Sequence, residues 1–163
     1  YSPADGCFVH QDPIRLAGGL NIAAYAPNPV CWIDPLGLNP KICDYNISTA
    51  NMSPAERAAV VEYAQRSNAW LATNGPVTVQ PTAGQLRSRA SAAARTERLA
   101  AARAGRAYQG QAGHVPDTAL TGQANPPAGW LDMPGRSNNV VGGGLSSRIG
   151  NTINIITVDG LVP

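Results

Sequence analysis

Apolar and polar positions alternate with helical spacing in two long stretches of the chain. Ser53-Pro54-Ala55-Glu56 predicts the start of the first helix, because the serine can act as N-cap and the glutamate three residues later completes a capping box. The helix is expected to run to about Leu71, and Asn74-Gly75-Pro76 to stop it. The apolar positions that define its buried face are Val60, Val61, Ala64 and Leu71.

The second stretch predicts a helix that carries a cationic face. Thr82-Ala83-Gly84-Gln85 is a weaker capping box, and the helix is expected to reach about Ala104. Its apolar stripe is thin and rich in alanine, so this helix has to pack on other elements to stay folded. The opposite side gathers most of the arginines Arg87, Arg95, Arg98, Arg103 and Arg106.

The remaining pattern completes an α+β prediction. Residues 39–51 lack periodicity and are expected to form a linker. The centre is rich in loops, and Gly142-Gly143-Gly144 is expected to let backbone approach a ligand such as an anion. Residues 151–158 form a β-branched strand that is expected to pair near Val77-Thr78-Val79. Residues 39–163 therefore read as a domain of two N-terminal helices, a loop-rich centre and a small sheet.

The first 38 residues have a different pattern of short strands and turns. Ala4-Asp5-Gly6 and Leu16-Ala17-Gly18-Gly19 indicate turns, and Pro27-Asn28-Pro29 ends a short strand. Strands this short cannot form a core alone, so they are expected to add to a larger β structure. Because the chain begins at Tyr1 rather than Met, it is expected to be a fragment.

Charge changes sign between these two parts. Residues 1–38 have a net charge of −2, whereas residues 39–163 hold eleven Lys and Arg against seven Asp and Glu, a net charge of +4. The positive excess is compatible with a polyanionic partner such as nucleic acid. Three cysteines without a C-x-x-C spacing do not indicate a disulfide framework or a zinc site. No apolar run approaches the roughly 20 residues that span a bilayer.

Two similar pentapeptides lie near the boundary between the two parts. Asp12-Pro13-Ile14-Arg15-Leu16 and Asp34-Pro35-Leu36-Gly37-Leu38 share the pattern Asp-Pro-aliphatic-x-Leu. Two carboxylates held together cannot both ionise cheaply, so one can activate a water while the other protonates a leaving amine. The alternative is that each Asp-Pro only initiates a turn.

The first 38 residues resemble the end of the Rhs-repeat-associated core domain. The matching motifs are Tyr-x-Pro-x-x-Gly-x-Phe from Tyr1, Gln-Asp-Pro-Ile-x-Leu-x-Gly-Gly-x-Asn from Gln11, Tyr-x-Pro-Asn-Pro from Tyr25, and the pentapeptide at Asp34. The resemblance implies that residues 1–38 are short β segments of a β-strand cocoon around a variable C-terminal toxin. It also implies aspartyl-type self-cleavage by Asp12 and Asp34, with the cut after Leu38. The chain departs from the common pattern at Arg15, where glycine is frequent.

The same resemblance implies a biological setting for residues 39–163. They would be a polymorphic toxin domain of an Rhs effector in interbacterial competition, delivered by contact or by type VI secretion into the cytoplasm of a target cell. The partners implied are the rest of its own Rhs cocoon and a cognate immunity protein, with nucleic acid as a candidate substrate.

Candidate chemistry lies in the second half of the chain. His114 lies three residues before Asp117 in a glycine-framed loop, where it could act as a general base or metal ligand, or simply be a hydrogen-bonded loop residue. Arginines of the second helix could bind phosphates, or form a solvated face. The candidate catalytic residues are His114 and Asp117. The candidate binding residues are Arg87, Arg95, Arg98, Trp130, Arg136 and Asn138, and Trp130 is expected in an exposed loop.

Three functions remain open for this domain. The first is a nuclease, because Gly113-His114 faintly resembles the first segment of His-Asn-His nucleases, with Asn138 or Asn139 as a second element. No histidine follows His114, so that metal site would be incomplete, and the cofactor stays undetermined with a divalent metal near Asp117 as the candidate. The second is an ADP-ribosyltransferase. Such an enzyme normally needs a late glutamate, and this chain has none after Glu97. The third is a non-enzymatic binding toxin.

Overall fold

The computed structural model describes residues 42–163. The predictions for Asp12, Asp34 and the cut after Leu38 therefore lie outside the described residues, as does the β-cocoon part of the fold prediction. The helices and small sheets of the described part are compatible with the expected α+β class. In chain order its elements are β1 (Ile42–Ile47), α1 (Pro54–Asn74), β2 (Val77–Thr78), α2 (Gly84–Arg103), β3 (Gln111–His114), α3 (Thr118–Thr121), β4 (Trp130–Met133), α4 (Gly135–Ser146) and β5 (Thr152–Val158).

The capping box at the start of α1 is confirmed. The Ser53 hydroxyl accepts from the Glu56 backbone N–H, and the Glu56 carboxylate accepts from the Ser53 backbone N–H at 2.8 Å. The helix continues to Asn74, three residues past the expected end at Leu71, and Gly75 follows with a φ of 78°. Its buried face combines predicted and additional positions: Val60, Tyr63, Ala64, Ser67 and Leu71.

The second helix has nearly the predicted span but a different start. α2 begins at Gly84, and its N-cap Ala83 makes no side-chain hydrogen bond, so the capping box predicted at Thr82 is wrong. Of its 20 residues only Ala90 and Ala101 are buried. The helix therefore depends on its packing against β3, and on the hydrogen bond that the Tyr108 hydroxyl donates to Glu97 at 3.0 Å.

A three-stranded sheet has the order β1-β5-β2, with β5 in the middle. Val77 lies opposite Ile153 in an antiparallel pair, which confirms the predicted pairing of the last strand. The linker predicted over residues 39–51 is wrong from Ile42 to Ile47, because this stretch is β1. The cause is a two-residue alternation: Tyr45 and Ile47 are buried, whereas the polar residues between and before them are exposed.

The centre of the domain is more regular than the predicted loop-rich region. β3 and β4 form a separate antiparallel sheet in which Gln111 faces Met133 and His114 faces Trp130. α3 lies between them, after a turn that contains the cis peptide bond Val115–Pro116. Trp130 consequently belongs to a strand and is half-buried, so the exposed loop predicted there is wrong.

The open glycine loop expected at residues 142–144 is wrong, because these residues belong to the helix α4. Val141 and Leu145, four residues apart, are buried in the core, and this spacing holds the stretch in a helix. The Tyr45 ring fills the space where a side chain at Gly144 would lie, whereas Gly143 faces open space. Each helical glycine costs about 1 kcal/mol relative to alanine, so core packing has to offset this cost.

The hydrophobic core joins α1 to both sheets. α1 packs against β5, α4 and β4, and the largest fully buried side chains are Tyr45, Tyr63, Ile47, Met133, Leu145, Ile153 and Ile156. α2 adds little to this core and lies along its edge beside β3. Among the described helices, none has the length and apolar character required to cross a membrane.

Candidate functional site

A cleft of about 920 Å³ lies between α2 and the surface formed by β3, α3 and α4. Three arginines of α2, Arg87, Arg95 and Arg98, line one side of it. His114, Asp117 and Asn138 line it from β3, the start of α3 and α4. The fold thus gathers six of the eight positions nominated in this domain around one cleft, although they are spread over 52 residues of sequence.

His114 is the last residue of β3 and is partly buried against Trp130. The two ring centroids are 4.5 Å apart with an interplanar angle of 55°. His114 Nε2 lies 3.1 Å from the Ala124 carbonyl oxygen, which can only accept, so Nε2 carries the proton of the neutral ring. Burial lowers the pKa of His114 below its usual 6.5. The neutral ring therefore predominates at pH 7, and its Nδ1 is left as a proton acceptor.

Asp117 is the N-cap of α3. Its Oδ1 accepts a hydrogen bond from the Ala119 backbone N–H at 2.8 Å, and Oδ2 lies toward Gly142 of α4. Burial raises the pKa of Asp117, and the positive charge on a protonated His114 would oppose that rise. The buried carboxyl therefore binds a proton more readily than an exposed aspartate does.

Two buried tyrosines support the cleft from behind, and sequence reasoning did not nominate them. The Tyr63 hydroxyl oxygen accepts from the Asp117 backbone N–H at 3.3 Å. The Tyr45 hydroxyl donates to the Val141 carbonyl in α4 at 2.7 Å. Burial raises the pKa of both phenols, so both stay protonated. The alternation around Tyr45 and the helical position of Tyr63 on the buried face of α1 were the available signals.

In the described part of the chain, no hydrogen bond or ion pair engages the guanidinium groups of the arginines on the α2 side. Arg87, Arg95 and Arg98 are exposed. Within residues 42–163, the one ion pair joins Glu62 to Arg66 on α1. The cleft therefore presents uncompensated positive charge opposite His114 and Asp117, which suits an anionic ligand.

Asn138 is held by a residue that sequence reasoning also missed. Its Nδ2 donates to the Gln111 Oε1 at 2.7 Å, and both residues line the cleft. Gln111 opens β3, in a short glycine-flanked stretch where the sequence carries no signal for a site.

The two other nominated binding residues lie outside the cleft lining. Trp130 contacts His114 from the neighbouring strand, so it positions the imidazole rather than facing the cleft. Arg136 donates from Nη1 to the Asn51 carbonyl at 2.7 Å, which fixes the start of α4 to the loop before α1. Both residues have roles in supporting the fold around the site.

The residues around the cleft do not form a metal-binding set. Within residues 42–163 no three His, Cys, Asp or Glu side chains are grouped closely enough to hold an ion. His114 and Asp117 could supply two ligands, but Asp117 Oδ1 already caps α3. The expected divalent metal near Asp117 therefore finds no full ligand set of side chains in this part of the chain.

Similar proteins are found for the amino-terminal segment of the chain. "Probable deoxyribonuclease RhsA" of Dickeya dadantii (strain 3937) is 55% identical over 38 residues, and "Double-stranded DNA deaminase toxin A" of Burkholderia cenocepacia (strain H111) is 60% identical over 38 residues. "Putative uncharacterized protein YlbH" of Escherichia coli (strain K12) is 55% identical over 40 residues.

These matches cover a small part of each protein. They span 23–24% of this chain, 3% of the Dickeya and Burkholderia proteins and 17% of the Escherichia protein. No family model matches the chain, and no solved structure matches it. The similarity confirms the resemblance carried by the first 38 residues, which are similar to segments of Rhs-associated proteins.

Proposed function

We propose that residues 39–163 are the toxin domain of an Rhs effector and that this domain cleaves nucleic acid. The observation that carries the proposal is the cleft itself: a partly buried, neutral His114 and the Asp117 carboxyl lie opposite three arginines that have no acidic partner within residues 42–163. Two relatives of the amino-terminal segment are named for action on DNA, which is in keeping with a nucleic-acid substrate.

His114 is the general base of the proposed reaction. With its Nε2–H donated to the Ala124 carbonyl, its Nδ1 takes the proton of the attacking water or ribose hydroxyl as the new oxygen–phosphorus bond forms. The Ala124 carbonyl and the Trp130 ring keep the imidazole in this tautomer and orientation. Because burial lowers the pKa of His114, this base stays unprotonated at neutral pH.

Asp117 is the matching acid. Its pKa is raised by burial, so its carboxyl can hold a proton and deliver it to the oxygen that leaves phosphorus as the old bond breaks. Arg87, Arg95 and Arg98 bind the phosphate and stabilise the charge that develops on its oxygens. His114, whose pKa is lowered, thus accepts one proton, and Asp117, whose pKa is raised, donates the other.

Other chemistries fit this domain less well. A deaminase of the zinc-dependent type needs a Cys-x-x-Cys pair, and the chain has none. The Burkholderia similarity also lies in the amino-terminal segment, outside the cleft. In an NAD-using transferase the arginines could bind the phosphates of NAD, but the chain has no glutamate after Glu97.

The first 38 residues have a separate proposed role in release. Asp12 and Asp34 form an aspartyl pair that cuts the chain after Leu38 once the Rhs cocoon is assembled, and a cognate immunity protein neutralises the released domain. In the complete Rhs protein, Asp34→Asn should leave the Leu38–Asn39 bond intact. Normal cleavage in that variant, seen by mass spectrometry of the product, would remove the aspartyl mechanism.

The nuclease proposal is tested with the purified chain on plasmid DNA and on total RNA. Both are incubated with Mg²⁺, without it, and with chelator, and products are followed on gels. We expect cleavage that falls at least about a hundredfold in His114→Ala, since general base catalysis contributes roughly 10²–10⁴ in rate. NAD is included as a parallel substrate to detect release of nicotinamide.

The matched control is Gln123→Ala, an exposed residue of the same loop region that does not line the cleft. Its activity should equal that of the unaltered chain. Intact DNA and RNA under all conditions would contradict the proposal, and nicotinamide release would then favour the transferase. Full activity of His114→Ala would contradict the role given to this residue.

A further inference from the structure

The amide pair formed by Gln111 and Asn138 has unused hydrogen-bonding groups on the cleft. Asn138 Nδ2 donates to Gln111 Oε1, and this bond uses one donor and one acceptor. Asn138 Oδ1 remains as an acceptor, and Gln111 Nε2 remains with its two hydrogens. In the described part of the chain neither atom makes a further hydrogen bond. The pair therefore offers an acceptor and a donor to whatever enters the cleft.

The fold holds this pair in place. Gln111 is fixed by its position in β3 opposite Met133, and the Asn138 backbone N–H donates to the Pro134 carbonyl within α4. Asn138 Oδ1 lies 3.3 Å from the point that a Cβ on Gly113 would occupy. The glycine lets the amide lie close to β3, and the hydrogen bond to Gln111 restricts its rotation.

We propose that the amide pair binds the edge of one unpaired nucleobase, so that the cleft acts on single-stranded nucleic acid. The inference rests on the proposed function and adds a substrate class to it. Each nucleobase carries a donor and an acceptor side by side on its pairing edge, and proteins that bind unpaired bases form hydrogen bonds to this edge. Asn138 Oδ1 accepts from the base, and Gln111 Nε2 donates to it.

The position of the pair explains why the base has to be unpaired. In a duplex the pairing edges are occupied by the other strand, and the grooves are read by elements that protrude into them. Gln111 and Asn138 instead line a cleft, so a base has to leave its partner strand to present its pairing edge to them. The cleft has the volume of a small-ligand pocket, and Tyr108, which also lines it, offers an aromatic ring for stacking.

The arginines and the amide pair then divide recognition. Arg87, Arg95 and Arg98 bind phosphate regardless of sequence, while Gln111 and Asn138 contact the base. Removing an arginine is expected to weaken the binding of all substrates by the same factor. Changing an amide is expected to alter the order in which substrates are preferred. A merely structural amide pair would not change that ranking.

The test compares single-stranded homopolymers of the four bases with duplexes of equal length, using the full chain. Binding is measured by fluorescence anisotropy and cleavage by gel. We expect single strands to be bound and cut at least about tenfold better than duplexes, with one base preferred. Gln111→Glu replaces the donor by an acceptor and should change that preference about tenfold, within the range measured for a lost bidentate base contact.

Two controls separate this effect from others. Gln109→Glu adds the same charge at an exposed position outside the cleft and should leave the preference unchanged. Arg95→Ala should lower binding to all four homopolymers by one common factor. Duplexes cut as well as single strands, or an unchanged ranking in Gln111→Glu, would overturn this inference and leave the proposed nuclease standing. Binding without cleavage would overturn the nuclease, and the ranking of bound homopolymers would then decide the inference.

Discussion

Asn68 and Ile156 exchange two hydrogen bonds across the interface between α1 and β5. Asn68 Nδ2 donates to the Ile156 carbonyl at 2.8 Å, and the Ile156 N–H donates to Asn68 Oδ1 at 2.8 Å. The paired residues of β2 reach only Thr152 and Ile153 of the middle strand. The amide thus does for Ile156 what a neighbouring strand would do, and it satisfies a backbone segment whose side chain is fully buried.

Removing this amide should destabilise the domain. Asn68→Ala leaves the Ile156 N–H and carbonyl without their partner, and we expect a loss of about 1–3 kcal/mol in the free energy of unfolding. Urea denaturation measures it. Asn74→Ala is the control, because Asn74 bonds only to the Trp70 carbonyl within the same exposed helix end. A loss in Asn68→Ala no larger than in that control would show that water replaces the amide.

The neighbouring glycines of α4 should respond to alanine in opposite ways. Gly143→Ala meets open space and improves helix propensity, so it should stabilise the domain by up to about 1 kcal/mol. Gly144→Ala forces a methyl group against the Tyr45 ring and hydroxyl, and overpacking of this kind costs about 1–3 kcal/mol. Thermal unfolding of both variants checks the sign. Equal stabilisation by both alanines would mean that Tyr45 can move away from α4 freely.

The Asp117 carboxyl is expected to support activity at the expense of the stability of the domain. Burial raises the pKa of Asp117 in the folded state, so folding at neutral pH has to take up a proton or bury a charge, and either disfavours folding. Asp117→Asn keeps an oxygen to cap the Ala119 N–H and removes the charge, and it should be more stable than the unaltered chain at pH 7.

The pH dependence of that gain provides its check. Below the unfolded pKa of about 3.9 the aspartate is protonated in both states, so the gain of Asp117→Asn should disappear. It should grow as pH rises through the raised folded pKa. Urea midpoints at pH 3.5 and pH 7 measure this. Cleavage by the variant should be lost, and an unstable but fully active variant would contradict both roles of Asp117.

The arginines that line the cleft should set the salt dependence of nucleic-acid binding. Arg87→Ala, Arg95→Ala and Arg98→Ala should each reduce the slope of log affinity against log salt by about 0.7–1. Arg89→Ala and Arg103→Ala lie on the same helix outside the cleft lining and are the matched controls. Binding is titrated at several salt concentrations. Equal slopes in all five variants would indicate diffuse attraction by the whole helix.

Local sequence signals predicted the elements that are stabilised locally. Ser53 and Glu56 determine the start of α1 by hydrogen bonds within four residues, and the β-branched run of β5 favours an extended strand. Such signals do not require knowledge of distant neighbours. α2 was predicted by its periodicity, although the hydroxyl of Thr82 is not the cap that its spacing suggested.

Elements stabilised by distant contacts were missed. α4 has a glycine-rich sequence that favours a loop, and it is helical because Val141 and Leu145 enter the core and Tyr45 packs over Gly144. β1 depends on β5, more than 100 residues further along the chain. Tertiary packing overrides local propensity at both places.

In the candidate site, too, some residues could be predicted from the sequence and others could not. His114, Asp117 and the arginines could be nominated from residue type, since few side chains perform proton transfer or phosphate binding. Gln111 could not, because an amide gains significance only from its bond to Asn138 across 27 residues of sequence. Tyr45 and Tyr63 also act through the backbone of Val141 and Asp117, which no spacing in the sequence reveals.

The order β1-β5-β2 has a consequence for biosynthesis. The middle strand of the larger sheet is the last to leave the ribosome, so β1 and β2 have no partner in that sheet until residues 152–158 have been made. Contacts of such long sequence separation form late and slowly. α1 also packs on β5, so the helix behind the cleft lacks its support until then. Synthesis therefore has to pass residue 158 before His114, Asp117 and the arginines can be held together. A nascent chain that ends before β5 carries the residues that line the cleft, but they are not yet held in place.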